Sequence, residues 1–315
     1  MSAFIVRRLV GMVVVLAIVS FLTFVIFIVI PGGDPAQRIA GRTATQQNIE
    51  NIRETWGFDR PFYVQYWNMM KKLFSNDLIS YSNQTKVVDQ IRDGIPATFS
   101  LCIGAAIIWL FFGILVGVIS AVTAGRWSDR VITLLALIGI SMPVFWLGLM
   151  ARYVLAEKNQ WFPDGEYVGL TTDPVQWFYH LLLPWFVLAV LFIGFYGRVL
   201  RSNILDTIND DYVRTARAKG LSRRRVMAKH VLRNSLIPIV TLFGLDFAAV
   251  IGGGAILTET VFDLHGVGQY AATSIGQLDL PPIMGVTLFA AFFIVFFNAI
   301  VDLLYAYLDP RIRPS

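Results

Sequence analysis

Asp246 is the residue hardest to reconcile with a passive role. It lies in the middle of the apolar run 236–257, where an ionised carboxylate costs on the order of 3 kcal/mol. It must therefore face a water-filled path, pair with another group, or carry a proton. A pore or subunit-interface role and a structural pair both stay open. Other reactive types are sparse. His180, His230 and His265 stand far apart with no His-x3-His spacing, and Cys102 is alone inside another apolar run. No Gly-x4-Gly-Lys-[Ser/Thr] phosphate loop occurs, so the chain is not expected to hydrolyse ATP itself. Nothing brings a Ser–His–Asp trio together either. The expectation is a non-enzyme with no catalytic residue, no metal ligand and no cofactor of its own.

The densest constellation is basic. Asp210 is placed to cap a helix beginning at Asp211. Tyr212, Val213 and Ala216 give that helix an apolar side, and Arg214, Arg217 and Lys219 sit toward the end where the helix dipole favours cations. Gly220 can take the left-handed conformation that stops it. Ser222 then caps a second helix running through 223–233. A helix of roughly 13 Å results. One reading is a basic loop that binds anionic headgroups; the other is a rigid rod that fits a groove on another protein and carries its motion onward.

The elements around these residues are membrane spans. Of 315 residues 56% are hydrophobic and 15% charged, with a mean hydropathy of +0.62. Soluble domains carry roughly 25% charged residues. A single cysteine excludes a disulfide scaffold. Six runs, approximately 9–30, 97–121, 131–151, 181–197, 236–257 and 283–304, can each cross about 30 Å of hydrocarbon as a helix. The first is too long for a signal peptide's apolar region and lacks an Ala-x-Ala site, so it reads as a retained span. With the N-terminus cytoplasmic, the inner segments hold 16 basic and five acidic residues, and the outer segments nine basic and fourteen acidic. The positive-inside rule then puts both termini in the cytoplasm. This distribution also accounts for the pI near 9.4, leaving a nucleic-acid partner without support.

Asp302, near the inner end of the sixth run, can reach water or an inner arginine such as Arg198 or Arg201, and Arg152 at the outer end of the third reads as snorkelling to headgroups. Gly113 and Gly117 form a small-xxx-small pair suited to close helix contact. Gly252, Gly253 and Gly254 loosen the fifth run. The organisation read from this pattern is a first span (1–30), an outer segment (31–96) and a core of five spans (97–315) containing an inner loop at 198–235. In the outer segment Pro61 precedes a helix whose apolar residues 63, 66, 67, 70 and 74 share one face. That segment is either a passive cap or a docking surface.

The run Arg214-Thr215-Ala216-Arg217-Ala218-Lys219-Gly220-Leu221, followed by Arg233-Asn234-Ser235-Leu236-Ile237-Pro238, resembles the "EAA" loop of binding-protein-dependent ABC importer permeases. It is most similar to the B-type permease of the dipeptide, oligopeptide and nickel branch. Further matches follow in order: Phe58-Asp59-Arg60-Pro61, Pro96-Ala97-Thr98, Ser141-Met142-Pro143, Gly252 to Gly254 through Thr258-Glu259-Thr260-Val261-Phe262, His265-Gly266-Val267-Gly268, and Val301-Asp302-Leu303 to Arg313. Arg214-Thr215 replaces Glu-Ala of the broader motif, and Arg233 stands where a proline is usual. Asn76-Asp77-Leu78-Ile79-Ser80 replaces a Gly-Asp-Leu-Gly run.

The resemblance implies an all-α permease of the type I ABC importer fold, multi-pass in a bacterial inner membrane. It implies a second permease, two cytoplasmic ATP-binding subunits that hold ATP and Mg, an extracytoplasmic binding protein, and transport by alternating access. Peptide is the expected substrate; nickel chelates, haem or glycosides, or an ion-coupled secondary transporter, are the alternatives. By the same resemblance Asp210, Tyr212, Val213, Arg214, Thr215, Ala216, Arg217, Lys219, Gly220 and Leu221 are expected to couple to the ATPase. Asp246, Gly252, Gly253, Gly254, Glu259 and Pro143 would lie on the path or an interface. Trp56, Phe58, Asp59, Arg60, Phe62 and Tyr66 would dock the binding protein.

Overall fold

The computed structural model describes residues 2–29, 34–40 and 45–308. They are helical nearly throughout, and the chain divides into two compact units: Met1–Thr98 with His265–Phe296, and Phe99–Leu264 with Phe297–Ser315.

The first unit holds α1 (Ser2–Phe24), which continues through π-helical turns to Val29, then α2 (Pro35–Ala40), α3 (Gln46–Trp56) and α4 (Phe62–Phe74). Thr45 caps α3 by accepting from the Asn48 N–H, and Gly57 at φ +70° ends it. The α4 helix starts directly after Pro61, as its spacing predicts, but its buried face is not the expected one. Met69 is buried, and the Tyr66 ring packs on Phe21 and Phe24. Tyr63, Trp67 and Phe74 stay exposed. The stripe at 66, 69 and 73 faces inward, leaving 63, 67 and 74 on the outside of the same helix.

The α5 helix (Val87–Val122) begins ten residues before the expected span and runs through Pro96. Its first turns belong to this unit, with α14 (Val267–Gly276) and the start of α15 (Leu280–Leu308). The Val267 N–H donates to Thr98 Oγ1 at 2.9 Å. Before α5, Ile79 pairs with Lys86 across a tight turn.

The second unit contains the rest of α5, α6 (Trp127–Ser141), α7 (Val144–Ala151) with π-helical turns on to Lys158, and α8 (Pro174–Thr207). Asp173 caps α8 through the N–H groups of Val175 and Gln176, with Pro174 in the first turn. The helix then continues ten residues past the expected end of the fourth span. Next come α9 (Asp211–Ala218), α10 (Arg223–Arg225), α11 (Arg233–Ser235), α12 (Ile237–Ala249) and α13 (Ile256–Val261). Val226–Leu232 winds as π-helix between α10 and α11.

Among the described residues five helices are long and apolar enough to cross a membrane. A sixth span is formed if α6 and α7 count together, although they are bent by 99°. The expected third span, 131–151, thus contains a bend, which arises because Met142, preceding Pro143, is held extended at φ −79°, ψ 127°.

The contact between α5 and α8 is built on absent side chains. A Cβ on Gly113 would lie 2.8 Å from Tyr196 Cβ, and one on Gly117 2.8 Å from Leu200 Cβ. With no water to exclude between lipid-facing helices, such close approach supplies the packing energy. Trp109, fully buried, stacks on Phe192 with centroids 4.5 Å apart. Large apolar side chains elsewhere, such as Ile107, Phe111 and Leu135, remain exposed, as suits a protein immersed in lipid.

Candidate functional site

The basic helix α9 is seated by two small residues and clamped by one large one. Val213 and Ala216 are buried, so they hold the helix to its own chain. Burying a valine stabilises by about 1.5–3 kcal/mol. The Tyr212 hydroxyl accepts from Asn234 Nδ2 at 2.7 Å and donates to the His230 carbonyl at 3.3 Å. Asp210, Arg214, Thr215, Arg217 and Lys219 remain on the exposed side, with Leu221 half-buried behind them.

The helix ends as its sequence predicts. Gly220 adopts φ +77°, and the Leu221 N–H returns to the Ala216 carbonyl at 3.4 Å. Its start differs in one respect: Asp210 has the extended N-cap backbone, but its side chain accepts no capping hydrogen bond. The same holds for Ser222 before α10. Both ends are exposed, where solvent can satisfy the free N–H groups.

Behind α9, the helix ends are cross-linked. Ser235 Oγ donates to the Asn203 carbonyl at 3.2 Å, and Asn203 Nδ2 donates to the Ser235 carbonyl at 3.4 Å. Two positions before Asn203 on α8, Arg201 donates from Nε and Nη2 to the two oxygens of Asp129, each at 2.8 Å. Asp129 also accepts from Ser120 Oγ at 2.5 Å and from the Gly125 N–H at 2.9 Å. One carboxylate thus gathers the end of α5, the turn after it, the start of α6 and α8. Arg201 is therefore engaged by Asp129; the side chain of Asp302 lies outside the described residues. Sequence reading missed this pair because Asp129 stands 72 residues from its partner.

Within the apolar helices Asp246 has a partner: the Tyr196 hydroxyl donates to its Oδ2 at 2.8 Å. The glycine triplet is where the fifth span breaks. The α12 helix passes into π-helical turns at Val250–Gly254, Gly253 takes φ 141°, and α13 restarts at Ile256. Only glycine accepts that backbone without strain. Glu259 on α13 is fully buried. Pro143 is exposed at the bend, beside a surface groove of about 570 Å3 lined by residues including Leu137, Met142 and Trp146. Arg152 is tied to the protein instead of reaching for headgroups, because Asp164 Oδ1 and the Val261 carbonyl accept from it at 2.5 Å each.

In the outer segment Phe58 stacks edge-on against Tyr81 at 5.8 Å, and Tyr66 OH shares a 2.7 Å hydrogen bond with Ser20 Oγ. Both Phe58 and Tyr66 are half-buried. Asp59, Arg60 and Phe62 are exposed; the side chain of Trp56 lies outside the described residues. Among the described residues no group of three or more His, Cys, Asp or Glu is placed to hold a metal.

Comparison with known proteins joins these features. Residues 113–314 match the family described as binding-protein-dependent transport system inner membrane component, and residues 1–102 match the N-terminal family of such membrane components. A putative peptide transport system permease protein of Brucella abortus is 38% identical over 314 residues, 99% of each chain. A probable D,D-dipeptide transport system permease protein of Escherichia coli is 39% identical, covering 97% of this chain and 96% of that one. A dipeptide transport system permease protein of Alkalihalophilus pseudofirmus is 36% identical over 99% of this chain and all of its own length. An all-helical chain with five long apolar helices, a bent sixth and a family match along nearly its whole length is a multi-pass inner-membrane permease with the type I ABC importer fold. The chain belongs to the family of binding-protein-dependent transport system inner membrane components.

Proposed function

We propose that this chain is one of two permease subunits in an ATP-driven importer of peptides. Both termini and α9 would face the cytoplasm, in keeping with the Lys/Arg bias of the inner segments. The names of the full-length relatives, which include peptide and dipeptide permeases, support the substrate class.

The observation that carries the reading is the form of α9. Its apolar residues are spent on seating it, its ends are set by Gly220 and the turn at 208–210, and its free face carries Arg214, Arg217 and Lys219. Such a rod suits a cleft on an ATP-binding subunit, with the cations steering toward an acidic rim. This chain would bind neither ATP nor Mg; both belong to the two partner ATPases. Closure of the ATPase pair would press on α9, and the Asn203–Ser235 and Arg201–Asp129 links would pass the displacement to α5, α6 and α8. Asp246, Gly252, Gly253, Gly254, Glu259 and Pro143 would then lie on the moving path or its interface. Asp59, Arg60 and Phe62 are the exposed residues offered to the extracytoplasmic binding protein.

The test is purification of the tagged chain from its native membrane. Two ATP-binding subunits, a second permease and hydrolysis stimulated by peptide-loaded binding protein are expected. A chain that purifies alone and transports without ATP would overturn the proposal.

A further inference from the structure

The unit of Met1–Thr98 and His265–Phe296 contains a cavity of about 250 Å3 between the turn at 80–83, Gln90 and α14. In a chain this apolar its wall is unusual, being formed by Ser82, Asn83, Gln90, Gln269, Thr273 and Gln277 among others. The α14 helix divides its faces accordingly. Val267, Gly268 and Ala271 are buried in packing, while Gln269, Tyr270, Thr273, Ser274 and Gln277 line the cavity. Packing alone asks for no such polar stripe.

The wall carries little free charge. No lysine or arginine is among its described residues, and Asp279 has both oxygens occupied. Its Oδ1 accepts from the Tyr81 N–H at 3.0 Å; its Oδ2 accepts from Ser80 Oγ at 2.5 Å and the Ser82 N–H at 3.0 Å. His265, also on the wall, presents its backbone N–H to Gln269 Oε1 at 2.6 Å. These bonds shape the cavity without giving it the charge that a phosphate or a metal ion needs.

One group on the wall is unsatisfied. The Tyr270 hydroxyl is shut off from solvent and has no hydrogen-bond partner. Burial, and then the Asp279 charge, push its ionisation up to about 12, so it stays a donor at any physiological pH. A buried donor without an acceptor is costly.

Gln90 and Gln277 each offer an N–H pair and a carbonyl, and Asn83 its N–H pair, the complement of a polypeptide backbone. The space is smaller than the roughly 300–1,000 Å3 typical of drug-sized ligands, which limits the occupant to a short stretch of chain. We propose that this cavity is a binding site for one or two residues of an extended peptide main chain, held by amide side chains of α14 and the 80–90 segment. Two sources share that chemistry: the imported peptide, or an extended loop of the binding protein. The choice of peptide over another neutral polar ligand rests on the importer reading above.

Thr273 is exposed on the cavity wall, and Cys102, the chain's own cysteine, is fully buried. Maleimide labelling of a Thr273→Cys variant in the intact transporter, reconstituted in lipid and read on this subunit's band, therefore reports on the cavity. Tri-alanine alone, the binding protein stripped of ligand, and a neutral trisaccharide are added in separate arms. Several-fold slower labelling with tri-alanine identifies the imported peptide as occupant; slowing by the binding protein alone identifies its loop. Adding Gln277→Leu, which removes an exposed amide from the wall, should weaken that protection by roughly two- to tenfold, the worth of one hydrogen bond. An unchanged rate in every arm, or equal slowing by the trisaccharide, overturns the site. Peptide-stimulated ATP hydrolysis is measured in the same samples. Its absence would count against the importer reading, while labelling decides the cavity independently.

Discussion

Arg201 holds both carboxylate oxygens of Asp129 at 2.8 Å, with the Asp129 side chain 6% exposed and that of Arg201 30% exposed. Arg201 lies ten residues before α9, and Asp129 in the first turn of α6. The pair therefore joins the segment that leads into the basic helix to a different span. A bidentate guanidinium–carboxylate contact fixes orientation as well as distance, so it resists rotation of α8 against α6.

Removing one partner of this pair should cost more than exchanging both. Asp129→Asn leaves Arg201 facing a neutral amide, and breaking a buried pair costs on the order of 3 kcal/mol, less here because Arg201 is partly hydrated. The purified complex should melt several degrees lower. The double exchange Asp129→Arg with Arg201→Asp should recover part of that loss. Equal melting of single and double variants would show that the pair has no coupling energy.

Gly220 should tolerate size but not shape. Nothing lies within 4 Å of a Cβ added there, yet its φ is +77°. Gly220→Val therefore meets backbone strain alone, about 1–2 kcal/mol for an L-residue in the left-handed region, enough to shift the end of α9. The complex should assemble and hydrolyse ATP while peptide uptake per ATP falls. Gly220→Asn, which enters that region more readily, should retain most uptake. Normal uptake in Gly220→Val would argue against α9 as the coupling element.

At Gly117 the reverse holds, since a Cβ there would sit 2.9 Å from the Gly197 carbonyl and 2.8 Å from Leu200 Cβ. Gly117→Leu should force α5 and α8 apart and destabilise by about 1–3 kcal/mol or more. Loss of the folded subunit from detergent extracts, measured by size-exclusion fluorescence, is the expected result.

The Tyr196–Asp246 bond predicts an asymmetry. Tyr196→Phe leaves a carboxylate within the membrane without its donor, a loss of about 1–3 kcal/mol. Asp246→Asn keeps an oxygen that can accept from the Tyr196 hydroxyl and removes the charge. Thermal unfolding should therefore rank Asp246→Asn above Tyr196→Phe in stability. The opposite order would mean that the aspartate's charge has another partner.

Local features were legible because local physics sets them. The apolar runs announced the spans, Pro61 the start of α4, and Asp211 and Gly220 the limits of α9. The resemblance carried on the 214–221 segment and its companions pointed to the family that the full-length matches support. Helix periodicity did not reveal which stripe of α4 turns inward, because both stripes contain aromatics and the choice falls to Phe21, Phe24 and Tyr66 meeting.

By itself, then, the amino-acid sequence determined a multi-span helical permease with a short basic helix on one side. Hydrocarbon thickness, backbone satisfaction and glycine stereochemistry act within twenty residues or so. Tertiary structure alone decided where Arg201 and Asp246 find their partners, how sharply α6 bends into α7, and how Asp279 reaches 199 residues back to Ser80. Those contacts depend on which helices become neighbours, a choice made by close packing at residues such as Gly113 and Gly117 and by the need to satisfy each buried polar group.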